Sequence, residues 1–339
     1  MTEHRRRGAA FAALALALPL ALALAAAAGS VWLPVEDLLA SLAAALGAGR
    51  SPLSPAGETI LWTVRLPRVL LAALVGGGLA VVGAALQAVF RNPMADAGLL
   101  GVGSGAAMGA VLSVRLGWAT DLFLALPLSA FAGALAAVLA VYALAHAGGR
   151  ATLHGLLLTG LAVSALASAG TSVLLVATEE YRVKTVLFWL AGGLEGRGWT
   201  HVQAGGGLIV AGVAALVVLA RPLDILSLGE DEARALGLPV HGTRLGLLAL
   251  AALVAGAATS VAGSVPFVGL MAPHALRRFV GPLGRHLLPA SFLAGAVLVV
   301  LADVASRTVS PAMDLPLGSL TAFVGAPYFL FALRGEARA

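Results

Sequence analysis

Runs of Ala, Val and Leu recur from one end of the chain to the other, each closed by a short polar stretch. Several reach the roughly 20 residues that a helix needs to cross hydrocarbon. Breaks in the pattern define about ten spans near residues 9–29, 66–89, 97–114, 122–145, 153–177, 201–220, 243–262, 264–280, 288–305 and 317–333. The pair around Gly263 can also be read as one irregular segment. The expected fold is all-α: a polytopic membrane protein of about ten transmembrane helices in one domain covering 1–339.

Polar interruptions give the bundle its two ends. Residues 90–105, FRNPMADAGLLGVGSG, form a corner between the second and third spans. Asn92-Pro93 ends one helix, because the residue before proline avoids the α region. Asp96 can cap the next helix, and Gly98, Gly101, Gly103 and Gly105 would let it pack closely. The corner contains GxGxG but not GxGxxG and follows no strand, which argues against nucleotide binding. Residues 30–64 read as a long loop, and an amphipathic piece within 178–200 is too short to span and suits an interface. The loop 221–242 is the most charged part. Acidic Glu230, Asp231 and Glu232 start a short helix there, and Gly237 and Pro239 stop it, at about 230–236.

Composition agrees with a membrane solvent: 60% of the 339 residues are hydrophobic and 11% charged, where soluble domains carry about 25% charged residues. The start, MTEHRRRGAAFAALALALPL, imitates a secretory signal, but its apolar run is longer than a signal core, so it reads as an uncleaved first span. With Arg5, Arg6 and Arg7 holding the N-terminus in the cytoplasm, an even number of spans returns the C-terminus there. Eight basic residues then lie outside: Arg50, Arg65, Arg68, Arg115, Arg182, Lys184, Arg197 and Arg307. The other thirteen of the 21, Arg150 and Arg338 among them, lie inside. The bias has the expected direction but leaves an unusually basic outer face. The pI of about 10.6 therefore reflects topology, not nucleic acid.

Cysteine is absent, which excludes disulfides, iron–sulfur ligation and thiol catalysis. The lone lysine, Lys184, follows Val183, so no phosphate-binding Gly-Lys exists and the chain is not itself an ATPase. No histidine pair has a metal-ligand spacing.

Four separated stretches, in order, resemble the permease family that imports iron chelates, haem and vitamin B12, the membrane subunits of type II ABC importers. They are RLPRVLLAALVGGGLAVVGAALQAVFRNPMADAGLLGVGSGAAMGA, LSLGEDEARALGL, VPFVGLMAPHALRR, and LADVASRTV with LPLGSLTAFVGAPYFLFALR. The resemblance implies the type II ABC importer permease fold, working as a homodimer in a bacterial inner membrane. Two copies of an ABC ATPase would bind ATP and Mg inside, leaving this chain without cofactor or metal. A soluble periplasmic or lipid-anchored binding protein would deliver an iron chelate, siderophore-bound or haem, outside. Vitamin B12 is the alternative cargo.

The resemblance also gives residues roles, each beside a plainer one. Leu228, Gly229, Glu230, Glu232, Ala233, Leu236 and Gly237 match the family's coupling loop, and otherwise form a solvated charge run. Arg65, Arg68 and Arg307 match arginines that face carboxylates of the binding protein, or else snorkel at the interface. Asp303 offers Arg307 an i,i+4 partner. On the fifth span Gly160, Ser164, Ser168 and Thr171 share a face that could line a path or simply pack. A rival reading, an ion-coupled secondary transporter, would need Asp303 as its intramembrane carboxylate.

Overall fold

A computed structural model describes residues 3–122, 124–146, 153–310 and 313–336. Arg150 and Arg338, both used in the charge count above, lie outside the described residues. Every regular element among the described residues is helical.

The chain opens with α1 (Glu3–Ala27), crosses in one direction, and follows with the short α2 (Val35–Ala45) and α3 (Pro55–Thr59). A π-helical turn, Ile60–Arg65, joins α3 to α4 (Leu66–Val89). After the 3-10 turn Ala97–Leu100 come α5 (Val102–Arg115), α6 (Trp118–Asp121), α7 (Ala125–His146), α8 (Leu153–Val176) and α9 (Glu180–Leu190). Next, α10 (Trp199–His201) runs through a second π turn into α11 (Gly207–Val218), then α12 (Ala220–Leu228) and α13 (Glu230–Ala235). Finally α14 (Val240–Ala262), α15 (Val268–Val280), α16 (Gly284–Thr308) and α17 (Leu317–Glu336) complete the bundle.

Seven helices among the described residues are long and apolar enough to cross a membrane. Three shorter ones, α5, α15 and α17, make up the ten expected spans. At about 1.5 Å per residue, the 14 residues of α5 and the 13 of α15 reach only about 20 Å, against a hydrocarbon core of about 30 Å. The expected continuous spans at 97–114 and 264–280 are thus corrected to short helices entered through irregular backbone. Gly101, at φ 73°, breaks the first of them, a left-handed conformation that glycine adopts without a Cβ clash.

The second span also differs from expectation. It does not begin at residue 66 but runs unbroken for 35 residues from Pro55 to Val89. Pro67 has no N–H and its ring would collide with the carbonyl of Thr63 in a regular helix. The π turn absorbs the misfit: the Leu66 N–H bonds to the Leu61 carbonyl, five residues back. Ser54 starts this long helix, its hydroxyl accepting the Gly57 N–H at 3.1 Å.

At the centre, α4 is the most enclosed helix, with α14, α15 and α16 packed against it and α5, α7 and α8 forming a neighbouring group. Small residues bring the backbones together. A Cβ on Gly76 of α4 would lie 2.2 Å from the Gly295 carbonyl of α16, and one on Gly295 would lie 2.3 Å from that of Gly76. In the polar corner, by contrast, only part of the packing role expected of four glycines is realised. A Cβ on Gly105 would lie 2.4 Å from the Gly133 carbonyl of α7, whereas Gly103 has open space where a Cβ would go. Asp96 does cap, accepting the Gly98 N–H at 2.9 Å.

Candidate functional site

Functional candidates fall at the two ends of the bundle and along α8. At the end where the chain begins, α13 hangs between α12 and α14. Gly229 precedes it at φ 141°, and a Cβ there would strike the Glu232 carboxylate. The helix closes with paired hydrogen bonds, Leu238 N–H to Ala233 O at 3.0 Å and Gly237 N–H to Arg234 O at 2.9 Å, around a left-handed Gly237 at φ 79°. This Schellman arrangement satisfies carbonyls that a helix end leaves without partners. Ala233 is fully buried against the bundle, while Leu228 and Leu236 are 60% and 63% exposed. The result is a rigid six-residue helix held by its inner face, with an apolar knob on each side.

Charge fixes its position. Glu230 accepts from Arg244 of α14 and from Arg234, the latter at 3.1 Å, and Arg234 also reaches Asp231 at 3.2 Å. The hydrogen bond from Arg244 holds the Glu230 carboxyl below the usual carboxylate range, and the positive charges of Arg244, Arg234 and Arg91 act in the same sense. Between α4, α12, α15 and α16 opens a cavity of about 990 Å³ whose lining includes Arg91, Asp224, Arg277 and Leu288.

Two residues near this cavity carry structure that the sequence reading missed. Gln87, 3% exposed, accepts from Arg277 at 3.0 Å and donates to the Gly269 carbonyl at 3.1 Å, tying α4 to α15. Asp224 accepts the Gly284 N–H at 2.7 Å and so caps α16 from a distant part of the chain. A lone amide inside the apolar run GAALQAVF was the available signal for Gln87. Nothing local marks Asp224.

At the opposite end, Arg65, Arg68 and Arg307 come together with two carboxylates. Arg65 is 4% exposed. Its guanidinium donates to the carbonyls of Ala26 and Ala27 at 2.7 Å, and to that of Val31. Arg307 donates to Ala28 O at 2.7 Å and Ala25 O at 2.5 Å. Together the two arginines close the C-terminal end of α1, whose last carbonyls have no partner within the helix. Arg68 bonds Asp303 at 2.8 Å and Asp314 at 2.8 Å. The Arg307 Nε lies 3.2 Å from the second Asp303 oxygen, at an angle too bent for a hydrogen bond, so that contact is ionic. Asp303 itself is 1% exposed. The i,i+4 pairing of Asp303 with Arg307 is present; the bonds from both arginines to α1 were not foreseen. Arg50, Arg115 and Lys184 are the exposed cations on this side.

On α8 the small-residue stripe divides. A Cβ on Gly160 would lie 1.9 Å from the Leu99 carbonyl. Ser164 borders Gly101, and the buried Thr171 hydroxyl donates to Ala167 O at 2.8 Å. Those three pack inward. Ser168 is exposed, on a helix of which only 17% of the apolar window is buried.

Comparison with known proteins matches this geometry to one family. The cobalamin import permease BtuC of Halobacterium salinarum is 44% identical over 82% of this chain and 74% of its own length. The achromobactin permease CbrC of Dickeya dadantii is 40% identical over 90% and 91%. The hemin permease HmuU of Yersinia pestis is 39% identical over 80% and 82%. A solved structure described as an inward-facing metal-chelate type ABC transporter superposes with a TM-score of 0.85 at 29% identity, covering 95% of this chain and 98% of the other. The model of the FecCD transport family aligns with residues 16–335, nearly the whole bundle, and the chain belongs to that family.

Proposed function

We propose that this chain is the membrane permease of an ABC importer for an iron chelate, a ferric siderophore or haem, with energy supplied by a separate ATPase. The observation that carries the reading is α13. It is an ion-paired helix flanked by two exposed leucines, Leu228 at the end of α12 and Leu236 just past its own last turn, in a chain without any phosphate-binding Gly-Lys. An element so held behaves as a lever: a partner gripping the two leucines moves α12 and α14 with it.

In this reading two ATPase copies grip the α13 helices of a homodimer on the cytoplasmic face. Both termini lie on that side, and the protein sits in a bacterial inner membrane. A binding protein, periplasmic or lipid-anchored, docks on the opposite end. There Arg65, Arg68 and Arg307 frame the surface, while exposed Arg50, Arg115 and Lys184 supply charge for steering. Ser168 and the exposed flank of α8 would line the path or meet the second copy; Gly160, Ser164 and Thr171 hold that helix in place. The metal travels inside its chelate, and ATP with Mg stays on the partner. This chain therefore needs neither cofactor nor metal.

A second cargo, cobalamin, is favoured by one observation, the 44% identity to a cobalamin permease. Proteoliposomes holding this chain, its ATPase and its binding protein separate the two through uptake of labelled ferric chelate, haem and cobalamin. An ion-coupled carrier would hold Asp303 free to exchange protons, yet that carboxylate has Arg68 and Arg307 against it. Uptake by this chain alone, driven by a proton gradient and lost in Asp303→Asn, would overturn the ABC reading.

A further inference from the structure

The end where the chain begins carries exposed cations, of which Arg278 also donates to the Ala275 carbonyl of its own helix at 3.4 Å and lies over the Phe279 ring at 5.4 Å. Arg5 and Arg6 of α1, Arg278 at the end of α15 and Arg285 at the start of α16 are exposed. Arg7, by comparison, is engaged, its Nη1 2.9 Å from His286 Nε2 on α16. Between α1 and α15 lies a groove of about 530 Å³, lined by Arg6, Ala9, Ala10, Arg278 and Phe279. Ala9 and Ala10 stand three and four residues beyond Arg6, so they sit beneath it on the same helix face, one turn deeper. Arg278 and Phe279 supply the same order on the other wall, a cation next to an apolar ring that is 47% exposed. The groove is thus basic at its mouth and apolar along its floor.

We propose that this groove holds an anionic phospholipid, with its phosphate between Arg6 and Arg278 and an acyl chain along Ala9, Ala10 and Phe279. Two planar guanidiniums suit a phosphate, which each can engage through paired N–H groups. The apolar floor suits an alkyl chain and gives an acidic protein surface nothing to bond. Location agrees: only 11% of the apolar window of α1 is buried, so its flank faces the bilayer, and cations flanking a span at the headgroup level attract anionic lipids. The groove is separate from α13, and the proposal does not depend on which cargo is carried.

Native mass spectrometry of the purified chain, with phosphatidylglycerol or phosphatidylcholine added to the detergent, tests this. Phosphatidylglycerol should stay bound at activation energies that strip phosphatidylcholine. The double variant Arg6→Gln, Arg278→Gln should bind phosphatidylglycerol about thirtyfold more weakly, since each basic residue near an anionic surface contributes about a fivefold factor. Arg221→Gln, at an exposed arginine of α12 outside the groove, should match the parent chain, and a monodisperse elution profile of each variant certifies its fold. Equal retention of the two lipids, or an unchanged affinity in the double variant, overturns the proposal. So does a double variant that keeps its lipid and loses a co-expressed ATPase, which would make the groove a protein contact.

Discussion

Replacing Arg65 by Met tests whether the arginines at the second end hold the fold or serve only as a docking surface. The substitution keeps an unbranched apolar stem and removes the guanidinium. The carbonyls of Ala26 and Val31 then lose the guanidinium as donor, and that of Ala27 keeps only the Leu33 N–H. Hydrogen bonds to a charged group contribute about 1.5–3 kcal/mol net, and an abandoned buried acceptor costs about 1–3 kcal/mol. The site is near the rim, where water can replace part of the loss, so the lower figures apply. The expected destabilisation is about 4 kcal/mol. Arg65→Lys keeps the charge but has one nitrogen in place of the fork, and should recover less than half of it. Arg50→Met, at an exposed arginine on the same side, should shift stability by no more than about 0.5 kcal/mol. Reversible unfolding in mixed micelles, followed through tryptophan fluorescence, gives the three values. If Arg65→Met equals Arg50→Met while binding-protein association collapses, the α1 clamp is not what Arg65 does, and docking is its principal role.

Three further outcomes follow from geometry already described. Gly76→Leu drives a side chain into the Gly295 carbonyl 2.2 Å from its Cβ; it should cost more than about 3 kcal/mol and leave little monodisperse protein on size exclusion. Leu236→Asp should leave the melting profile intact, since Leu236 is 63% exposed, yet lower pull-down of the ATPase at least tenfold; unchanged pull-down would remove α13 from the interface. Glu230 has its pKa lowered in the folded chain by the Arg244 hydrogen bond, so its contribution is present above the unfolded carboxyl value and is lost as pH falls through the folded one. The protection factors of the α13 amides, which correct for the intrinsic pH dependence of exchange, should therefore hold through mildly acidic pH and fall only in stronger acid. In Arg244→Met that fall should come at higher pH, and an identical profile in both proteins would discard the ion pair as the anchor.

The spans were legible because hydrocarbon solvent imposes a blunt pattern on sequence, one that survives without knowledge of packing. The short α13 was legible too: acidic residues at 230–232 and Gly237 gave limits of 230–236, and the helix covers Glu230–Ala235. What escaped were features whose partners are backbone atoms far along the chain. Arg65 bonds carbonyls nearly forty residues earlier, and a carbonyl has no residue identity to notice. The span expected from residue 66 starts at Pro55, because a π turn pairing the Leu66 N–H with the Leu61 carbonyl carries the helix through Pro67, and no residue type marks such a turn. For Asp303, the i,i+4 rule found Arg307 but could not find Arg68, 235 positions away. The division of the α8 stripe was equally hidden, since Ser168 and Thr171 differ only in what the surrounding helices leave uncovered.

The bare crossing of α4 and α16 at Gly76 and Gly295 sets limits on how the molecule can change shape. With no side chains to act as rollers, the two backbones interlock, and relative sliding would bring carbonyls onto α-carbons. The pair therefore travels as a single beam. Any change of shape has to be taken up elsewhere in the bundle, while this beam supplies the fixed frame.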